Sequence, residues 1–213
     1  MPIVLQNYWR SSCSWRVRMV LEAKGLEWEY VPVNLLKAED CEMEYYSKNP
    51  SGVPTLIDDG VTIGQSLAIM EFLEEKYPQA PMLPKDLADR AAVRSIALFI
   101  ASGIQPLANL GTMQKVGKRF GDDQKAGWNV DVITEGMQGL EKLLEKYAGT
   151  CCFGDAYTMA DACLVPNCYA AKRFGVDIAQ FPVTARVLAH LETIDFVQKT
   201  HPDNQPDAVK PAQ

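Results

Sequence analysis

Histidine is nearly absent from this 213-residue chain, which has only His190 and His201. Metal sites and catalytic triads that rely on imidazole therefore have almost no material to work with. Positive charge is short as well: 21 Lys and Arg stand against 27 Asp and Glu, for a net charge of −6. That balance excludes a broad electrostatic footprint for nucleic acid or for an anionic membrane surface, so an anionic ligand must find a local basic pocket. No apolar run is read as approaching a bilayer span. Met1-Pro2-Ile3-Val4-Leu5 enters a strand pattern without the basic and apolar segments of a leader. A cytoplasmic protein with no membrane partner is the expectation. The sequence has no internal repeat and no C-x-x-C. Its six cysteines are irregularly spaced, which favours reduced thiols over a disulfide framework. Cys151-Cys152 lacks the ligand spacing of a zinc site, so no metal is expected, and Cys163 and Cys168 sit in an apolar helical pattern that reads as core.

Strand and helix signals alternate in the first part. Ile3 to Asn7 reads as a buried strand, and Ser12 to Lys24 as a helix with Val17, Val20 and Leu21 on one face, stopped by Gly25. Trp28 to Asn34 supplies a second strand, parallel to the first by the right-handed crossover rule. After a polar connection, Thr55-Leu56-Ile57 and Val61-Thr62-Ile63 flank Asp58-Asp59-Gly60, a hairpin signal, and a helix runs from Ser66 to about Tyr77. The order βαβ then ββα is that of a thioredoxin-like sheet. Pro78 to Pro84 carries three prolines and reads as a linker, which places an N-terminal domain at 1–81.

Beyond the linker, 87–213 reads as an all-helical domain. Asp86 caps a long helix to about Met113, a second spans Gln124 to Tyr147, and a third begins at Thr158. Thr158-Met159-Ala160-Asp161 has capping-box spacing, Pro166 should bend that helix, and Gly175 should end it. Asp161 is read as structural, and Pro202 to Gln213 as a polar, proline-containing tail.

The chemistry concentrates at Ser11-Ser12-Cys13-Ser14-Trp15-Arg16-Val17-Arg18, where the first helix begins. Hydroxyls, a thiol and guanidinium groups there join peptide N–H groups and the positive end of the helix dipole, a setting that holds a thiolate. With one thiol and no resolving cysteine, the sulfur chemistry belongs to a bound thiol ligand; the bland alternative is a capped helix with a buried cysteine. Val53-Pro54 precedes a strand, where a cis peptide would expose backbone to an extended peptide, although an edge-strand proline reads the same way. Gln65-Ser66 heads the next helix and suits a free carboxylate, while Ser66 alone is simply a good N-cap. A ligand with a thiol at one end, peptide in the middle and a carboxylate at the other describes glutathione.

These motifs, with Asn49-Pro50-Ser51-Gly52-Val53-Pro54-Thr55-Leu56, Gln65-Ser66-Leu67-Ala68-Ile69 and Ser102-Gly103-Ile104-Gln105-Pro106-Leu107, make the chain resemble the zeta-class glutathione transferases, the class that includes maleylacetoacetate isomerase. The likeness runs through His201-Pro202-Asp203-Asn204-Gln205-Pro206-Asp207. It implies an N-terminal thioredoxin-like domain with a C-terminal all-helical glutathione-transferase domain, glutathione as cofactor, and a homodimer. The implied activity is cis–trans isomerisation of maleylacetoacetate to fumarylacetoacetate in tyrosine and phenylalanine catabolism. Attack on small α-halo acids, a Cys13-based reductase and a non-catalytic glutathione-fold scaffold are its rivals.

By the same resemblance Ser11 activates glutathione, with Ser12 and Cys13 lining the thiolate site. Glutathione contacts fall on Ser11, Ser12, Cys13, Ser14, Trp15, Arg16, Val53, Pro54, Gln65, Ser66, Gln105, Asn109, Leu110 and Gly111. Arg10 and Arg173 would hold the carboxylates of a small dicarboxylate substrate, which a planar guanidinium fork suits. Arg18 reads instead as a structural pair. Two departures from the family stand out: a family glutamine has only Cys41 or Glu42 nearest it, and Gly111 replaces a serine.

Overall fold

A computed structural model describes residues 2–209. They fall into two compact units, one formed by residues up to 82 together with those from 194 onward, the other by 83–193. The helical domain read as 87–213 thus loses its last segment to the first unit. The reason is local hydrogen bonding: the Trp15 indole N–H donates to Thr200 Oγ1 at 3.0 Å, and the Arg18 guanidinium donates to the Thr200 carbonyl at 3.3 Å. What reads as a polar tail includes a 3-10 turn at Pro202–Asn204 and is tied down at Asp207.

In the first unit the apolar pattern yields β1 (Ile3–Asn7), α1 (Ser12–Ala23), β2 (Trp28–Pro32), a short α2 (Met43–Tyr46), β3 (Thr55–Asp58), β4 (Val61–Gly64) and α3 (Ser66–Lys76). The strand order is β2-β1-β3-β4. β1 runs parallel to β2, with Ile3 opposite Trp28, and antiparallel to β3, with Leu5 opposite Leu56. Asp59 and Gly60 both take positive φ, 47° and 82°, as a two-residue hairpin turn between β3 and β4 requires. Leu5, Val17, Val20, Leu21, Leu56, Ile69, Met70 and Leu73 are fully buried, so α1 and α3 close one core with the sheet. Gly25, at φ 65°, ends the first helix where a side chain would be strained. This is the α/β arrangement expected.

The second unit is helical, with one difference from expectation. The helix capped by Asp86 stops as α4 (Leu87–Leu98), passes through a π turn (Phe99–Ile104) and a 3-10 turn (Gln105–Ala108), and resumes as α5 (Leu110–Phe120). Pro106 has no N–H to donate to a continuing helix, and the backbone departs from regular helix just before it, at Ile104 with φ −105° and ψ −61°. The segment Leu87–Phe120 contains an 18-residue window of mean hydropathy 1.4, of which 28% is buried. By length and composition alone it is apolar enough to cross a membrane, which corrects the reading that no such run exists. The backbone breaks at the π and 3-10 turns lie inside it. Next come α6 (Gln124–Tyr147), α7 (Met159–Arg173), α8 (Pro182–Leu191) and, grouped with the first unit, α9 (Asp195–Lys199). The capping box is present: Thr158 Oγ1 accepts from the Ala160 N–H, and Asp161 accepts from the N–H groups of Thr158 and Cys152, both at 2.7 Å.

Candidate active site

Strand register gathers the first unit's candidate residues at one end of the sheet. Thr55 pairs with Gln6 on one side and Gly64 on the other, so the segments just after β1, just before β3 and just after β4 are neighbours. These are the stretches that carry Ser11, Val53-Pro54 and Gln65-Ser66.

Ser11 is the N-cap of α1, with extended backbone at φ −68° and ψ 120°. Its Oγ accepts from the Ser14 N–H at 3.2 Å, and its own N–H donates to the Tyr8 carbonyl at 3.0 Å. A hydroxyl that caps by accepting still has its proton to donate outward. Capping and holding a thiolate are therefore compatible roles for one oxygen. Ser12 and Cys13 follow, half-buried, in the first turn. The side chains of Ser14 and Trp15 turn into the core. Ser14 is fully buried with its Oγ accepting from the Tyr8 N–H at 3.4 Å, and Trp15 is spent on Thr200. Helical periodicity turns both side chains inward.

Arg16 is 1% exposed. Its Nη1 donates to Ser66 Oγ at 3.2 Å and lies 3.7 Å from Cys13 Sγ, so it links the head of α1 to the head of α3. Its Nε and Nη2 are buried and have no hydrogen-bond partner. Gln65 precedes Ser66 with φ 67° and ψ 114°, a conformation costing a non-glycine residue roughly 1–3 kcal/mol, which aims an exposed side chain beside the buried Ser66 hydroxyl.

The Val53-Pro54 peptide is cis. Its loop is organised by Asn49, a residue whose role the sequence did not announce. The buried Asn49 amide donates to the carbonyls of Gly52 and Pro54 and to Thr55 Oγ1, while its Oδ1 accepts from the Ser51 N–H at 3.0 Å. Gly64 lies so close that a Cβ there would meet Asn49 Oδ1 at 2.6 Å.

Arg18, two residues after Arg16, is structural. It is fully buried and donates to Asn7 Oδ1 and to the carbonyls of Tyr8, Trp9 and Thr200. Burial pushes its guanidinium down to about 10. Arg10 is half-buried, its guanidinium 5.3 Å from the Trp9 ring centroid. Cys41 and Glu42 end a 3-10 turn and are exposed.

The remaining candidates belong to the other unit. Gln105 opens the 3-10 turn, and Asn109 caps α5 by accepting from the Thr112 N–H at 3.0 Å. Leu110 and Gly111 are exposed in the first turn of α5, and Arg173 is exposed in the last turn of α7 with Phe174 beneath it at 4.8 Å. Among the described residues no group of three or more His, Cys, Asp or Glu is placed to hold a metal ion.

The model of the glutathione S-transferase N-terminal domain matches residues 10–76. The maleylacetoacetate isomerase of Dictyostelium discoideum is 47% identical over 96% of this chain and 95% of its own length. The zeta-class glutathione S-transferase of Euphorbia esula is 44% identical over 97% and 93%. The chain belongs to the zeta-class glutathione transferases. The zeta-class fold extends over the whole molecule: the maleylacetoacetate isomerase of Anaeromyxobacter dehalogenans superposes with a TM-score of 0.89, at 39% identity, covering 98% of both chains. That enzyme was solved with glutathione in its active site, and again with dicarboxyethyl glutathione and citrate. Zeta-class membership accounts for the thioredoxin-like sheet followed by helices.

Proposed function

We propose that this chain is a glutathione-dependent cis–trans isomerase converting maleylacetoacetate to fumarylacetoacetate, with the transferase activity of its class. The observation that carries the reading is Arg16. A guanidinium taken out of water without a full set of acceptors costs of order several kcal/mol, a cost that an anionic ligand offsets. Its buried positive charge, held behind Ser66 and 3.7 Å from Cys13 at two helix N-termini, fits a ligand bearing a thiolate and a carboxylate. Glutathione has both.

In this reading Ser11 donates its free hydroxyl proton toward the sulfur, with Ser12 and Cys13 lining the same place. Ser66 and Gln65 take a carboxylate, with Arg16 behind Ser66 as the buried countercharge. The backbone at Val53-Pro54 meets the peptide. Arg10, next to the thiolate motif, binds a carboxylate of the substrate, in keeping with the citrate and dicarboxyethyl glutathione bound in the A. dehalogenans enzyme. When bound, glutathione supplies a thiolate that adds reversibly to the cis double bond, allowing rotation before it leaves. The chain's own contribution is electrostatic: it keeps the sulfur ionised and stabilises the negative charge that develops on the substrate. The proposal includes a cytosolic homodimer, taken from the family likeness. A monomer mass by light scattering would remove the dimer from it.

The deciding experiment is Ser11→Ala, assayed for glutathione-dependent isomerisation of maleylacetone and, in parallel, for ultraviolet absorbance of the bound thiolate. Loss of a hydrogen bond to a charged group is expected to raise the thiol pKa by about 1–2 units and lower kcat by roughly 100-fold. Unchanged ionisation together with an unchanged rate would sink the reading. Turnover of dichloroacetate at a higher kcat/KM than maleylacetone would move the assignment to the dehalogenase.

A further inference from the structure

The chain entering the active site is held by a segment almost 200 residues away. Asp207 Oδ2 accepts from the Trp9 N–H at 3.2 Å, and Asp207 Oδ1 accepts from the Tyr30 hydroxyl. On the carbonyl side of the same stretch, Arg18 donates to the Tyr8 oxygen at 3.4 Å and to the Trp9 oxygen at 2.9 Å while also holding the Thr200 carbonyl. The Tyr8 carbonyl in turn accepts from the Ser11 N–H at 3.0 Å. Residues 8 and 9 are thus gripped through their N–H and C=O groups from two sides, and the next hydrogen bond outward is the one that sets Ser11. All these groups lie in the unit that contains residues 194 onward.

We propose that Asp207 is a positioning residue for the isomerase: by fixing the Trp9 amide it holds Ser11 at the angle from which its hydroxyl meets the glutathione sulfur. The proposal rests on the reading of Ser11 given above. A displacement of Ser11 by even 1 Å is enough to lose orders of magnitude in rate, which is why a remote carboxylate matters to the chemistry. The role is geometric and not that of a charge. A carboxylate near the site disfavours a thiolate, so a purely electrostatic Asp207 would make the sulfur more acidic when removed, whereas a lost anchor makes it less acidic.

Asp207→Ala and Asp207→Asn separate these effects, because asparagine keeps an oxygen for the Trp9 N–H and loses the charge. Three measurements are made on each variant: amide hydrogen exchange at Trp9 and Ser11 without glutathione, the pKa of bound glutathione by ultraviolet absorbance, and kcat and KM. For Asp207→Ala we expect at least 10-fold faster exchange at Trp9, a raised thiol pKa and a kcat reduced about 10-fold or more, with the glutathione KM within twofold. Asp207→Asn should restore all three to within about threefold of wild type. Wild-type values in Asp207→Ala would overturn the proposal, as would a thiol pKa lowered equally in both variants. Should Asp207→Ala not fold, Tyr30→Phe, which strips Asp207 of its second anchor, must show faster Trp9 exchange and a lower kcat, and no change in either overturns the role. If wild type itself does not lower the thiol pKa, the isomerase reading fails; if wild type does and Asp207→Ala does equally, only the positioning role fails.

Discussion

Two buried arginines on one helix show how the same residue type divides between fold and site. Arg16 and Arg18 are two positions apart on α1, so they point about 200° apart around the helix axis. Arg18 finds four acceptors, among them three carbonyls, and removing it takes a buried donor from each, the Tyr8 oxygen keeping the Ser11 N–H as a backbone donor. Arg16 finds Ser66 and Cys13 and keeps both Nε and Nη2 unpartnered, where Arg18 keeps only Nε. Arg18→Ala is therefore expected to lower unfolding free energy by about 3 kcal/mol or more, read as a fall in the denaturant midpoint. Arg16→Met should leave the ligand-free protein as stable as wild type or more so, because it deletes a poorly solvated charge. It should also abolish the rise in Tm that glutathione gives the wild-type enzyme. A Tm shift with glutathione as large in Arg16→Met as in wild type would refute the countercharge role. The sequence located both arginines in the S-S-C-S-W-R-V-R motif and sorted one to the site and one to the structure. Which nitrogens lack partners depends on Thr200, Ser66 and the turn at Tyr8, contacts that no spacing rule encodes.

At the scale of elements, what was legible is what is local. The hairpin at Asp58-Asp59-Gly60, the caps at Ser11, Asp86 and Thr158, and the helix Gln124–Tyr147 all follow from residue types within a turn or a repeat of each other. The break between α4 and α5 was not foreseen, because a π turn depends on what packs against it. A Cβ at Gly136 of α6 would meet Ile104 Cγ1 at 2.7 Å, and one at Gly139 would meet Phe99 Cζ at 2.8 Å. The π turn thus lies directly on the glycine positions of α6. Asn49 was missed for a similar reason, since its acceptors form a loop with no periodicity. Asp161 was found, and its weight can now be gauged. Burial pushes its carboxyl up while hydrogen bonds from Cys152 and Thr158 pull it down, and two buried N–H groups have it as acceptor. Asp161→Ala should cost at least about 2 kcal/mol, more than an exposed cap, measured by denaturant unfolding. A cost near 0.5 kcal/mol would mean that the start of α7 has other acceptors.

Across the whole molecule the six thiols divide by environment, which turns the sequence-based expectation of reduced core cysteines into a pH-dependence. None is in a disulfide: Cys41 is exposed, Cys13 half-buried, and Cys151, Cys152, Cys163 and Cys168 are buried. Burial pushes the Cys168 thiol up to about 12 and raises that of Cys152 as well, with Asp161 adding to the effect at Cys152. In the unfolded chain a thiol ionises near 8.5. Between these values the native state keeps protons that the unfolded state has lost, so unfolding free energy falls as pH rises, by up to about 1.4 kcal/mol per pH unit for each such thiol. Below about pH 8 neither state is ionised and these groups give no slope. The denaturant midpoint is thus expected to hold steady up to about pH 8 and to fall toward pH 10, with Cys168→Ala showing a shallower fall. A thiol reagent at neutral pH should label Cys41 and Cys13 quickly and the other four only on unfolding, with Cys13 protected by glutathione if that ligand sits beside Arg16. Rapid native labelling of Cys168, or a midpoint flat between about pH 8 and pH 10, would show that the second unit opens its core far more readily than its packing implies.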